Sequence, residues 1–388
     1  MKEGWKYAKV GQIFDTYSGG TPLKSHKEYY ENGNIPWLCS GEVCRKYITS
    51  TEKYITQLGL DNSSAKYYPE NTVVVAMYGA TAAQVGILKC RATSNQAVCG
   101  ILPNDKFLPE FVYNWFLFRQ TYLASQAQGG AQPNISQIKI KNIEIPVLSL
   151  SEQQQIVDFL DAEFAKIDEL KNQAEQSLQN AKDLFQAALK EMLTPKEGWK
   201  EVKLSQIGSI NRGVSKHRPR NAPELMGDYL PLVQTGDVAN SDKYIETYSS
   251  SYSKLGVEQS RVWEPGALCI TIAANIGKAS ILNFKACFPD SVVGFIANPG
   301  TNIDFIYYQF CILQSILEAN APGAAQKNIN LRILSELKLF VPEYKEQVRI
   351  AENLDRLRET KNSLQSNYTR TIQLCADLKQ ALLRQVFE

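Results

Sequence analysis

The sequence predicts an α+β protein made of one module written twice. Two similar globular heads are each followed by a long helix, and the two helices pair antiparallel as a coiled coil, so that the copies are related by a pseudo-two-fold axis. Three observations predict this. Two runs, 151–194 and 343–388, contain neither Gly nor Pro. Their apolar residues recur at steps of three and four, the period of one helix face. Landmarks before the first run recur before the second at an offset of 194 residues.

The first run carries Ile156, Leu160, Phe164, Ile167, Leu170, Ala174, Leu178, Ala181, Phe185, Ala188 and Met192 on one stripe. Ser149 and Glu152 form a capping box that satisfies free amides at its start, and Pro195 stops it. At about 1.5 Å per residue it is a rod of roughly 60–65 Å, far longer than an ordinary globular helix. The second run presents Ile350, Leu354, Leu357, Leu364, Tyr368, Ile372, Cys375, Leu378, Leu382 and Val386. Two rods of matched length, each with one apolar stripe, suit a coiled-coil pair. Charge favours it too: residues 151–194 hold nine acids and four bases, whereas 344–388 hold eight bases and six acids. The alternative is that each rod packs on its own head.

The duplication is dense. Lys2-Glu3-Gly4-Trp5-Lys6 recurs as Lys196-Glu197-Gly198-Trp199-Lys200, and Gly19 as Gly213. With one residue inserted, Ser40-Gly41-Glu42 meets Thr235-Gly236-Asp237. Phe111-Val112-Tyr113 meets Phe305-Ile306-Tyr307, Ile145-Pro146 meets Val341-Pro342, and Glu152-Gln153 meets Glu346-Gln347. A period this long is a domain duplication and not a solenoid. The layout is therefore a head over 1–148, a helix over 149–194, a second head over 195–342 and a second helix over 343–388. Within the heads, residues 73–77 and 267–272 read as buried strands behind turns, and 107–122 and 302–318 as helices rich in aromatic residues.

Bulk properties narrow the function. The chain has 388 residues, 44% hydrophobic and 21% charged, a soluble globular composition. No apolar run reaches the roughly 18 residues of a membrane span, and the first residues lack a signal core, so the expected setting is cytoplasmic with no membrane association. Eight cysteines lack CxxC spacing and only His26 and His217 are present, which argues against a metal centre and for reduced thiols. The net charge of +2 confines contacts with an acidic polymer to local patches.

No catalytic constellation is legible. Asn275-Ile276-Gly277-Lys278-Ala279-Ser280 lacks the first Gly of a P-loop, because position 272 is Ile, and has Ala279 where a Mg²⁺-binding hydroxyl belongs. Pro289-Asp290 with Glu343-Tyr344-Lys345 could be forced into a nuclease-like set, but such tripeptides are common by chance. There is no Asn-Pro-Pro-aromatic tetrapeptide, GxSxG or HExxH. A duplicated domain without duplicated chemistry favours binding.

Recognition is expected in loops that recur. The first contains Thr21 and Lys24, matched by Arg212, Lys216, His217, Arg218 and Arg220, a basic cluster suited to phosphate or to guanine. The second contains Ser40, Glu42, Arg45 and Lys46, matched by Gln234, Thr235 and Asp237. The third contains Gln132 and Asn134, matched by Gln326, Lys327 and Asn328; amides in Gly-rich loops suit adenine, and suit turns equally well. Tyr78, Thr81, Asn275 and Lys278 follow the central strand of each head and complete the candidate DNA-binding set. Asn95-Gln96 faces Asp290-Ser291 in the alignment of the copies, a difference of the kind two distinct specificities need.

The ordered series Gly-Trp, Gly-Gly-Thr-Pro, Ser-Gly-Glu, Gln-Pro-Asn-Ile, Ile-Pro and Glu-Gln-Gln-x-Ile opening a long helix resembles the specificity subunit of type I restriction–modification enzymes, over the whole chain. The second copy departs from the pattern with Arg-Gly-Val-Ser and with Lys327. The resemblance implies a non-catalytic subunit with two target-recognition domains, each reading one half of a split, asymmetric sequence in double-stranded DNA. It implies that the helix pair fixes the unread spacer and docks two methyltransferase subunits, and that motor/nuclease subunits complete the complex. S-adenosylmethionine, ATP and Mg would belong to those partners, leaving this chain without a cofactor. The alternative function is a tandem scaffold that binds protein or glycan ends, spaced by the coiled coil.

Overall fold

A computed structural model describes all residues except 1, 3, 127–133, 218, 220, 221, 274 and 320–328. It divides into two compact units. One comprises Met1–Glu175 with Thr369–Glu388, the other Gln176–Tyr368. Each unit thus holds one head together with segments of both long helices.

The first head is built on a five-stranded sheet in the order Thr16–Ser18, Val98–Ile101, Val73–Ala76, Val85–Leu88 and Tyr47–Ile48. All neighbours are antiparallel except the last pair, which is parallel. The central strand explains its own sequence. Val73 and Val75 face the helix Pro109–Phe118 and its aromatic residues, while Val74 and Ala76 face Leu38, Ile48 and Tyr68. With both faces covered, alternation disappears and the strand reads as a continuous apolar run. Asn71 at the turn before it adopts φ 66°, and Gly266 takes the same place in the second head at φ 92°; both residue types tolerate the left-handed region. A three-stranded sheet of Tyr54–Ile55, Ile35–Leu38 and Thr93–Ser94 covers the outer face.

The second head repeats the order with Gly208–Arg212, Val292–Ala297, Leu268–Thr271, Ala279–Leu282 and Tyr244–Ile245. Gly100 and Gly294 sit opposite each other in the duplication for one packing reason. A Cβ on Gly100 would lie 2.5 Å from the Tyr68 ring, and one on Gly294 2.3 Å from the Trp263 ring. The copies differ in the outer sheet, which has four strands in the second head: Ser250–Tyr252, Met226–Leu232, Ala286–Cys287 and Val262–Trp263.

The long helices span Leu150–Leu193 and Tyr344–Phe387, 44 residues each. The capping box at the first is formed: Ser149 N donates to Glu152 Oε2 at 2.9 Å, and Glu152 N donates to Ser149 Oγ at 3.3 Å. Gln153 and Gln347 are buried one residue further on. Gln153 accepts from Leu108 N and donates to the carbonyls of Lys106 and Leu148. Gln347 accepts from Asn302 N and donates to those of Gly300 and Pro342. Each amide therefore ties a helix start to the loop of its own head.

Within each unit the helix segments run antiparallel. In the first, Val157 and Leu160 share a core with Leu383 and Phe387, and Lys379 Nζ lies 5.1 Å from the Phe164 ring. In the second, Leu189 and Leu193 share a core with Ile350 and Leu354, and Lys361 Nζ lies 5.3 Å from the Phe185 ring. Rods packing only on their own heads do not account for these cores.

One part of the expected stripe is wrong. Spacing alone puts Leu170, Leu357, Leu364 and Leu378 in the seam, yet all four are exposed. The buried line steps by seven through Leu160, Ile167, Ala174 and Ala181, joined four residues on from Leu160, Ala174 and Ala181 by half-buried Phe164, Leu178 and Phe185. Residues three further on, Leu170 and Leu184, fall outside it. A heptad line keeps one edge against its partner helix, and the sequence stripe is wider than that edge.

Candidate nucleic-acid interface

The sheet registers place most of the nominated loops at one end of each head. In the first head the end of 16–18, the start of 98–101, the end of 73–76 and the start of 85–88 are neighbours, because those strands alternate in direction. The start of 47–48 joins them through its parallel pairing. The loops holding Thr21 and Lys24, Asn95 and Gln96, Tyr78 and Thr81, and Arg45 therefore gather at one edge. Hydrogen bonds tie them together there. The Thr21 hydroxyl bonds the Gln96 side chain, Gly20 N donates to Ser94 O at 2.9 Å, and Tyr78 bridges Asn134. Gly19 is required there, since a Cβ would meet the Ser94 carbonyl at 2.2 Å; Gly213 faces the Phe288 carbonyl at 2.3 Å in the same way.

The second head gathers its counterparts. Arg212 ends the edge strand and is exposed, as are Lys216 and His217. The amides of Lys216 and His217 both donate to Gln259 Oε1, at 2.7 and 3.0 Å, which pins the basic loop from beneath. The His217 ring lies 3.5 Å from Glu224. Asn275 sits at φ 53° in the turn after the central strand, with Lys278 half-buried beside it. Gln234 and Thr235 line a cavity of about 170 Å³ with Ser250, Tyr252, Pro289 and Ser291, so the second loop region meets the Asp290-Ser291 segment there. Gln132, Arg218, Arg220, Gln326, Lys327 and Asn328 lie outside the described residues.

Other nominated side chains are engaged in holding the fold. Glu42 accepts from Cys39 N at 2.8 Å and Glu52 N at 2.7 Å. Asp237 accepts from Gln234 N at 2.8 Å and Ser249 N at 3.1 Å. These carboxylates hold the loops that carry Ser40 and Thr235. Lys46 pairs with Asp161 of the first long helix, under the rings of Tyr47 and Tyr113. Its counterpart, which sequence reasoning missed, is Lys243. That side chain is fully buried and bonds Asp355 at 2.6 and 2.7 Å and Asp304 at 2.7 Å. Burial works against its charge, but hydrogen bonds to Asp304 and Asp355 hold the ammonium above its ordinary pKa. The signal was present: Lys46-Tyr47 recurs as Lys243-Tyr244, and Asp161 and Asp355 are 194 apart.

Among the described residues no group of three or more His, Cys, Asp or Glu could hold a metal ion, and no helix is long and apolar enough to cross a membrane. What the surface offers is amides, hydroxyls and cations on loops over a rigid sheet, twice. This defines the class: a duplicated recognition subunit. The family model for the type I restriction modification DNA specificity domain matches residues 2–180 and again 196–374. The chain belongs to that family, the specificity subunits of type I restriction–modification systems. It is 33% identical over 194 residues to the EcoR124I/EcoR124II specificity subunit of Escherichia coli, a match covering 48% of this chain and 46% of that one. It is 24% identical to the EcoprrI specificity subunit of Escherichia coli over 95% of this chain and 94% of that one. A chain solved in work on complex assembly and conformational transition of the type I R-M system shares the fold, with a TM-score of 0.82 and 19% identity over 100% of this chain and 98% of that chain.

Proposed function

We propose that each head reads one half of a split, asymmetric DNA target through the loops gathered at one end of its five-stranded sheet. The observation that carries this is the repetition of one loop-bearing sheet edge with unlike residues on it: Thr21, Gln96 and Tyr78 in one copy, Arg212, Lys216 and Asn275 in the other. Amides and hydroxyls suit base edges, while Lys24, Arg45, Lys216, Arg218 and Arg220 suit phosphates or guanine. The long helices set the unread spacer, since reading two half-sites on one DNA face needs a fixed separation matched to the roughly 34 Å groove repeat.

The same helices dock two methyltransferase subunits, and motor/nuclease subunits join through the complex. The exposed leucines support two equivalent docking surfaces. Leu170 and Leu378 are 53% and 48% exposed in the first unit, and their duplicates Leu364 and Leu184 are 36% and 71% exposed in the second. Large apolar side chains repeated on the outside of a helix pair mark partner contacts.

The test is to express the chain with a type I methyltransferase subunit and map methylated adenines. The expected result is one bipartite motif with a fixed spacer, in which exchanging residues 195–342 for another specificity subunit's second head changes only one half. A methylation pattern indifferent to the exchange overturns the reading.

A further inference from the structure

Each head is fastened to a long helix by a buried or half-buried ion cluster, duplicated but unequal. In the second unit Lys243 reaches Asp355 on the C-terminal helix and Asp304 on the head. The Tyr308 hydroxyl donates to Asp355 at 2.6 Å, and Tyr244 donates to Asp304 at 3.0 Å. Arg358, one helix turn beyond Asp355, pairs with Asp242 on the head at 2.5 Å. In the first unit the cluster splits: Lys46 pairs with Asp161 at side-chain exposures of 26% and 41%, while Glu110, in the place of Asp304, accepts from Tyr47 at 3.4 Å and from Lys89 at 3.1 Å. Phe164 stands where Arg358 does. Asn114 stands where Tyr308 does, and both polar atoms of its buried side chain have no partner.

The geometry points to a role beyond cohesion. A lysine between a head strand and a helix carboxylate adds a directional restraint on rotation of the head about the helix, beyond the angle that apolar packing sets. We propose that Lys46 with Asp161, and Lys243 with Asp304 and Asp355, are positioning residues that set the angle of each head on its helix, and through it the spacing at which the two half-sites are read. This rests on the DNA-reading function proposed above. The helices set the coarse separation and the lysine clusters set the fine register.

The experiment uses the full chain with its methyltransferase partner and duplexes carrying the mapped target with the spacer native, one base pair shorter or one longer. Lys46→Met is the main variant, because its pair is partly open to solvent and its loss leaves the fold intact. Lys46→Asp combined with Asp161→Lys restores the pair in reverse. Lys46→Met is expected to lower the preference for the native spacer by about threefold to fivefold, with half-site preference unchanged, and the reversed pair to recover it. Retained spacer preference in folded Lys46→Met, or a loss the reversed pair does not recover, overturns the proposal. If the unaltered complex shows no spacer preference at all, the bipartite reading fails instead, which separates the two outcomes.

Discussion

The two heads share a framework and differ at their edges, and the comparison sorts the residues by purpose. Gln153 and Gln347 hold equivalent loops with equivalent bonds. Glu42 and Asp237 cap equivalent turns, and Gly19 and Gly213 allow equivalent close approaches. Side chains with the same partners in both copies serve the fold. Positions that change, such as Asn95-Gln96 against Asp290-Ser291, are those the proposed reading would use to tell one target half from the other. The joints to the helices are the instructive exception: the lysine repeats, yet it is buried in one unit and half-open in the other.

The sharpest way to test that inequality is to remove both lysines in turn. Lys243→Met leaves Asp304 and Asp355 without their buried cation and is expected to cost about 3–5 kcal/mol. Lys46→Met is expected to cost at most about 1 kcal/mol, since solvent screens the open pair. Calorimetry should show a large fall in the melting temperature for the first and a small one for the second; equal shifts would erase the distinction between the joints. The sign with pH follows. The raised ammonium pKa of Lys243 means its contribution is full at neutral pH and lost only in strong alkali.

A comparable effect is expected where the helix ends enter the heads. Phe387 lies edge-on to Trp115 at 5.2 Å and Trp5 at 6.4 Å, and Leu193 is the equivalent residue in the second core. Phe387→Ala is expected to cost about 3–5 kcal/mol and Leu193→Ala about 2–5 kcal/mol, each seen as a lower denaturant midpoint. A neutral Phe387→Ala would mean the C-terminal helix end adds nothing to the first core.

Arg218→Ala with Arg220→Ala is expected to weaken DNA binding by the assembled complex. It should also flatten the salt dependence by about one unit of log–log slope for each phosphate that the two arginines neutralise. Unchanged binding removes that loop from the interface. Glu42→Gln and Asp237→Asn should each lower stability by about 1 kcal/mol while leaving the methylated motif as it was; an altered motif would return those carboxylates to the reading surface. The smallest effect concerns thiols. Cys44 is exposed, whereas burial pushes the Cys99 thiol up to about 12, so a thiol reagent at about pH 8 should label Cys44 well before Cys99.

Much of the fold was legible because duplication turns one sequence into its own alignment. The helices, the buried central strands and the capping box follow from local rules of period, turn and cap. The site was legible only as loops. Sequence reasoning puts Lys46 with Arg45 on the reading surface because both are cations in one loop. The chain geometry separates them, sending Lys46 to Asp161, 115 positions away. Spacing assigns Leu170 and Leu364 to the seam because a three–four pattern cannot say which side of a wide stripe a partner helix will cover.

The sequence by itself determined that there are two copies, that each ends in a long helix, and where the central strand of each head lies, because these depend on neighbours within a few positions or on a repeat visible in the chain. Tertiary structure alone decided which cation is held in a joint and which stays at the surface, and which leucines meet a helix and which meet the outside. Those outcomes depend on distances between residues more than a hundred positions apart, set by strand register and by the direction in which one helix lies on the other.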